Sequence, residues 1–306
     1  MKAAIDIGTN TVLLLIGEEL DGSLNVLHEE YRIPRLGKGV DESRSLYPDS
    51  IERVLTVLKE YKSIIAKEFP DCEQVTITAT SAVRDAKNRD KFLTLIKNEI
   101  GEDVQLLSGD EEAIYTYGGA LAPLSVSLNS DFVVLDIGGG STEIASGYGL
   151  NLNTYTSIDM GCVRFTERFL NGNPSNPDHI EACRNEIERL LQSQELDIKI
   201  SAKAIGVAGT VTSLAAIEMN SDSYEPDLYN GFTLSLTSIQ EHIKTFSSQT
   251  FDELIKLAPI ALEGRVDIFL AGLLILEGFL KYYNLSEIVV STGGIRHGAL
   301  LISEKD

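Results

Sequence analysis

Residues 132–143 read FVVLDIGGGSTE. An apolar run ends in an acid, three positions without side chains follow, and Ser141-Thr142-Glu143 opens what reads as a second strand. Residues 3–12, AAIDIGTNTV, carry nearly the same figure with one glycine: apolar run, Asp6, Ile7, Gly8, then small polar residues. Each copy predicts a three-strand meander, near 3–7, 11–18 and 24–33 in the first half and near 132–137, 141–147 and 150–158 in the second. Asp6 and Asp136 lie too far apart for a short-period repeat and read as the two copies of an old duplication.

Helices and strands alternate behind both meanders. In the first half DSIERVLTVLKEYKSIIAKEF and RDKFLTLIKNEI place apolar residues at helical spacing, while QVTITAT and VQLL read as strands. In the second half CVRFTERFL, HIEACRNEIERLL, TVTSLAAIEM and VDIFLAGLLILEGFLKYY read as helices, KAIGVAG and EIVVSTG as strands, with a less regular stretch before the long apolar helix. The pattern predicts two α/β domains of similar plan, each a sheet covered by helices. The boundary falls where APLSVSLNS turns small and polar, giving units of 1–124 and 125–306. The last helix, IRHGALLI, is free to pack back on the first unit.

The chain has 306 residues, 43% of them hydrophobic and 24% charged, ordinary values for a soluble globular enzyme. No stretch approaches the ~18 consecutive apolar residues of a membrane span, and no basic region precedes an apolar leader, so no membrane partner is expected and the cytoplasm is the default compartment. Cys72, Cys162 and Cys183 have no CxxC spacing and read as reduced thiols rather than a disulfide or zinc framework. A net charge of −20 argues against a nucleic-acid partner, which needs a basic face. A polyanion would bind only where a metal ion and a few placed cations overcome that field.

In both turns the glycines leave backbone N–H groups open to a close anion. A tight hairpin with a bulge accounts for either turn taken alone. Two copies, each with an acid closing its first strand, point further. A carboxylate beside a phosphate pocket repels the ligand unless a hard cation lies between them, so Asp6 and Asp136 imply Mg²⁺. Thr9, Asn10, Thr11, Ser141 and Thr142 add side-chain donors, and Glu143 is placed to accept from a metal-bound water. A third segment, AIGVAGTVTSLAAI, puts Gly209 and Thr210 at a helix start, where amides suit a phosphate or nucleotide and a plain strand-to-helix turn fits equally.

SGDEEA at 108–113 is a capping box: Ser108 and Glu111 satisfy each other's backbone donors, which leaves Glu112 free. An acid in a first helical turn also complements the helix dipole. TSAVRDAKN brings Arg84 after a strand, either as part of a solvated basic turn or as a guanidinium clamping a transferring phosphoryl group. PRLGKG offers Arg35 and Lys38, and GCVRF offers Arg164. Arg168, Arg265 and Arg296 complete the cations nominated for a polyanion track. Cys162 has no recognisable histidine partner and reads as a packed small residue.

Together DIGTNTVLLLI, TSAVRDAKN, SGDEEA, LDIGGGSTEI, MGCVRF, GVAGTVTSLAA and STGGIRHGALL, in this order, resemble the exopolyphosphatase and guanosine pentaphosphate phosphatase family, within the superfamily of actin, hexokinase and the Hsp70 ATPase domain. The resemblance runs nearly end to end. It implies two ribonuclease H-like domains with the active site in the cleft between them. It implies phosphate binding by Gly8, Thr9, Asn10 and Thr11 and by Gly138, Gly139, Gly140 and Ser141. Glu112 matches the family's catalytic base, Arg84 its arginine, and Asp136 and Glu143 its metal-associated acids. The implied reaction is hydrolysis of a terminal phosphoanhydride, on inorganic polyphosphate or on guanosine pentaphosphate (pppGpp), with in-line attack by water. Longer members carry further C-terminal domains, so a two-domain form is expected to favour shorter chains or a nucleotide. A kinase using the same cleft, and a non-catalytic sensor of (p)ppGpp or another nucleotide, stand as alternatives; a homodimer stays open.

Overall fold

The computed structural model describes residues 1–20, 23–223 and 225–302. β1 (Lys2–Ile7), β2 (Val12–Leu20) and β3 (Ser23–Arg32) form the first meander, each antiparallel to the next. The chain then passes through α1 (Val40–Ser43) and the long α2 (Pro48–Glu68) to β4 (Gln74–Ala79), which runs parallel to β1. α3 (Ser81–Asp85) and α4 (Arg89–Ile100) lead to β5 (Val104–Leu106), parallel to β4. The resulting order is β3-β2-β1-β4-β5, the ribonuclease H-like arrangement.

α5 (Gly109–Leu121) leads to the second meander of β6 (Asp131–Ile137), β7 (Thr142–Tyr148) and β8 (Asn151–Ile158). α6 (Cys162–Phe169) and α7 (Pro177–Gln192) precede β9 (Lys203–Val207), parallel to β6. α8 (Ala208–Glu218), α9 (Pro226–Tyr229), β10 (Thr233–Ser235), α10 (Leu236–Ser248), α11 (Phe251–Leu257) and α12 (Val266–Tyr282) follow, then β11 (Glu287–Val290) and α13 (Ile295–Leu301). The order β10-β11-β9-β6-β7-β8 repeats the first sheet and adds β10 as an edge strand. The duplication extends to a detail. β2 slips register against β3 between Ile16 and Gly17, and β7 slips against β8 between Ser146 and Gly147, the matching place in the second copy.

The stretch before α12 that read as irregular holds α9, β10, α10 and α11. In α10, Ile239, Ile243 and Phe246 are buried at helical spacing. Polar residues between and around them dilute the apolar period, and burial of three anchors, roughly 1.5–3 kcal/mol each, outweighs that weak local propensity. α12 is apolar on every face because the second core surrounds it, with Phe269, Leu273, Leu276 and Phe279 all buried. No helix among the described residues is long and apolar enough to cross a membrane.

Two helices position the cleft by crossing between the sheets. α5, which the sequence boundary assigns to the first unit, lays Ala113, Tyr117, Ala120 and Leu121 against Phe132, Val134 and Ala145 of the second sheet. α13 sends Leu300 back onto Ala4 and Leu15 of the first sheet. The two helices meet backbone to backbone: a Cβ on Gly119 would strike Gly294 O, and one on Gly298 would strike Tyr115 O.

Candidate active site

The two glycine turns close alike. Gly8 N donates to Thr11 O at 2.9 Å, and Gly138 N donates to Ser141 O at 3.0 Å, so each strand pair turns through an equivalent four-residue loop. They face one cavity of about 190 Å³, whose wall includes Gly8, Thr9, Asn10 and Thr11 from one sheet and Gly138, Gly139 and Ser141 from the other. Gly209 and Thr210, at the start of α8, line it too. Gly140 is the exception among the expected phosphate contacts. Its carbonyl turns away and accepts from Arg164 Nε at 2.6 Å.

Four acids border this cavity and are almost wholly buried: Asp6, Glu112, Asp136 and Glu143. Strand register places three of them. Asp136 and Glu143 are cross-strand partners on β6 and β7, and Asp6 stands at the matching end of β1. A hydroxyl holds each of these three: Thr78 Oγ1 donates to Asp6 at 3.0 Å, Thr116 Oγ1 to Asp136 at 3.2 Å, and Ser157 Oγ to Glu143 at 2.7 Å. Burial pushes Asp6 and Asp136 up to about 6 and, with Asp136 alongside, Glu143 to about 7. Thr78, Thr116 and Ser157 act in the opposite sense.

Glu112 sits in the first turn of α5, where the capping box forms as read: Ser108 Oγ accepts from Glu111 N at 3.2 Å and Glu111 Oε2 accepts from Ser108 N at 2.7 Å. Burial and the neighbouring Glu143 raise Glu112 well above the usual carboxylate range, and Arg84 opposes the shift. The sequence leaves Arg84 open between a solvated basic turn and a phosphoryl clamp. Here its Nη1 donates to Glu112 Oε1 and, at 2.8 Å, to Leu107 O, and the residue is absent from the cavity wall. In this geometry the Arg84 guanidinium contacts the glutamate carboxylate.

Four other nominated cations also lie elsewhere. Arg35 pairs with Asp267 and donates to Gly264 O at 3.2 Å, Lys38 is exposed, and Arg164 is buried between Asp41 and Asp85. Arg168 joins Asp41 as well. Carboxylates of the opposite half capture Arg35, Arg164 and Arg168 because each sits at the seam between the two sheets. Arg265 and Arg296 do line the cavity. Arg265 Nη1 donates to Gly209 O at 2.9 Å and Ser213 Oγ at 3.0 Å, while Arg296 Nη1 donates to Leu14 O at 2.8 Å and lies 3.2 Å from Glu29 Oε1. Cys162 reaches the wall and is buried, and that burial pushes its thiol up to about 11.

Sequence reading missed the three hydroxyls. Thr116 stands four residues after Glu112, and Thr78 and Ser157 pair in register with Asp6 and Glu143. Strand register picks out Thr78 and Ser157, and the packing of α5 on the second sheet picks out Thr116. Among the described residues no group of three or more His, Cys, Asp or Glu side chains is gathered as a ready metal cage. The donor set nevertheless suits a hard cation that keeps water and phosphate oxygens, since Mg²⁺ commonly takes only one or two carboxylates from the protein. Burial that keeps Asp136 and Glu143 short of counter-charge is relieved by such a cation.

Residues 15–306 match the Ppx/GppA phosphatase family. The chain is similar to exopolyphosphatase 2 of Mycobacterium tuberculosis, 33% identical over 286 residues that cover 90% of this chain and 88% of that one. Its fold is similar to the Ppx/GppA family member of Aquifex aeolicus, with a TM-score of 0.82 at 32% identity over 98% of this chain and 95% of that one. An exopolyphosphatase from Cytophaga hutchinsonii superposes with a TM-score of 0.87 at 27% identity, covering 97% and 96% of the two chains. With twin glycine turns facing a buried glutamate across one cleft, and a family match over nearly its whole length, the chain belongs to the Ppx/GppA phosphatases.

Proposed function

We propose that this protein is a Mg²⁺-dependent exopolyphosphatase, releasing the terminal phosphate of inorganic polyphosphate by attack of water. One observation carries the reading: Glu112 is buried on the wall of the same cavity that both glycine turns face. Amides of Thr9, Asn10 and Thr11 and of Gly139 and Ser141, which the turns' own hydrogen bonds leave open, donate to the oxygens of the terminal phosphoryl group and grip it from opposite sheets. Glu112 accepts the proton of the attacking water, and its raised pKa brings it closer to the range where a base is effective. Arg84 holds that carboxylate in place and favours its ionised form. Asp136 and Glu143, with Asp6 from the other sheet, are the residues to hold Mg²⁺, which when bound neutralises charge on the phosphate oxygens.

A second substrate, pppGpp, is favoured by the apolar part of the wall. Leu13, Tyr31, Ile268 and Phe269 line the cavity, and a bare polyphosphate has no use for apolar surface whereas a nucleoside does. The test is phosphate release from short polyphosphate, long polyphosphate, pppGpp and ATP side by side, with and without Mg²⁺. Glu112→Gln is expected to lower release by about 10²- to 10⁴-fold with the fold retained by circular dichroism. Full activity in that variant rules out the assigned base.

A further inference from the structure

We propose that Thr116 is a positioning residue of this reaction: its hydroxyl orients the Asp136 carboxylate, so that one helix sets both the general base and the acid on the cation side. The inference rests on the phosphohydrolase reading above. Asp6 and Glu143 each receive a hydroxyl from the strand beside them, because their register partners are Thr78 on β4 and Ser157 on β8. Asp136 has no such neighbour. Its register partners are Glu143 on β7 and Val207 on β9, one an acid and the other apolar. The donor it lacks in the sheet comes from the helix lying across it, where Thr116 Oγ1 donates to Asp136 Oδ2 at 3.2 Å.

Thr116 follows Glu112 by one helical turn, so the two side chains project from the same face of α5. Both are buried, Thr116 at 1% and Glu112 at 3% exposure. A helical threonine commonly bonds back to the carbonyl four residues earlier; here the partner is a carboxylate on another element. A hydroxyl carries one proton, and spending it on Oδ2 fixes the rotation of the carboxylate and leaves Oδ1 as the oxygen without this donor. Because Ala113, Tyr117, Ala120 and Leu121 clamp α5 onto the second sheet, the separation between Glu112 and Asp136 is that of a rigid packed helix. Outer hydrogen-bond partners of this kind typically govern cation affinity or activity by about 10- to 100-fold.

The test compares Thr116→Val, which keeps the shape and removes the hydroxyl, with Thr116→Ser, which keeps the hydroxyl. Two readouts are taken: steady-state phosphate release from short polyphosphate as a function of Mg²⁺, and Mn²⁺ binding without substrate by electron paramagnetic resonance. Thr116→Val is expected to lose about tenfold or more in kcat and in Mn²⁺ affinity while KM for polyphosphate stays within about twofold. Thr116→Ser recovers most of both. Wild-type kcat and Mn²⁺ affinity in Thr116→Val overturn the inference, and so does an equal loss in Thr116→Ser, which assigns the effect to the methyl group. If Thr116→Val does not fold, Thr116→Cys, close in volume and a poor donor, takes its place with the same two outcomes. A wild type that releases no phosphate sinks the phosphohydrolase reading alone, and Mn²⁺ binding still decides the role of Thr116.

Discussion

Glu112 differs from the other three cleft acids in carrying a guanidinium rather than a hydroxyl. The difference has a sign. Arg84 favours the ionised carboxylate, whereas burial and Glu143 favour the neutral one. Removing the cation by Arg84→Ala therefore raises the Glu112 pKa further, and a base is lost as pH falls through its pKa. The acid limb of the kcat/KM profile is expected to move to higher pH, measured on short polyphosphate with the basic limb as internal reference. An unmoved limb means that Arg84 does not govern this carboxylate. Sequence alone marked both residues, because a capping box uses Ser108 and Glu111 and leaves Glu112 over. It left Arg84 open between a solvated basic turn and a clamp on the phosphoryl group, since residues 84 and 112 reveal nothing of their contact until β4, α3 and α5 are placed.

At the scale of elements, the crossing of α5 and α13 holds Glu112 against the rest of the cleft. Backbone meets backbone at Gly119, Gly293 and Gly298, so there is no room for a methyl group at these three positions. Gly298→Ala drives a Cβ into Tyr115 O of the very helix that carries Glu112 and Thr116. The expected cost is roughly 1–3 kcal/mol, read as a lowered denaturation midpoint at unchanged slope, together with a fall in kcat as α5 shifts. Wild-type stability and rate in this variant contradict the close approach. The elements themselves were largely legible: both meanders, α2, α4, α7 and α12 follow from apolar spacing that is local. α10 was not, because its helical period rests on three apolar residues set among polar ones.

For the whole molecule, three of the arginines nominated for a polyanion track, Arg35, Arg164 and Arg168, tie the two halves together. Arg164 reaches Asp41 and, at 2.5 Å, Asp85; Arg168 adds a second arm to Asp41 at 2.6 Å; Glu167 accepts from Gly39 N at 2.8 Å; and Arg35 pairs with Asp267 across the seam. Arg164 also donates to Gly140 O, so the clamp bears directly on the second glycine turn. Arg164→Ala leaves Asp41 and Asp85 without this partner, at an expected cost of about 3 kcal/mol. The halves loosen and the turn loses a support, so KM for polyphosphate is expected to rise, together with faster proteolysis at the seam. A variant with wild-type KM and protease resistance contradicts the clamp.

The amino-acid sequence by itself determined the two meanders, the twin turns and the freed glutamate of α5, because strand alternation, glycine turns and helix caps are set by residues a few positions apart. Only the tertiary structure decided which arginines face the cleft, which seal its seam, and which hydroxyl holds which acid. Those relations join residues such as Thr116 with Asp136 and Arg164 with Asp41, and they exist only once strand register and helix crossing have brought distant parts of the chain together.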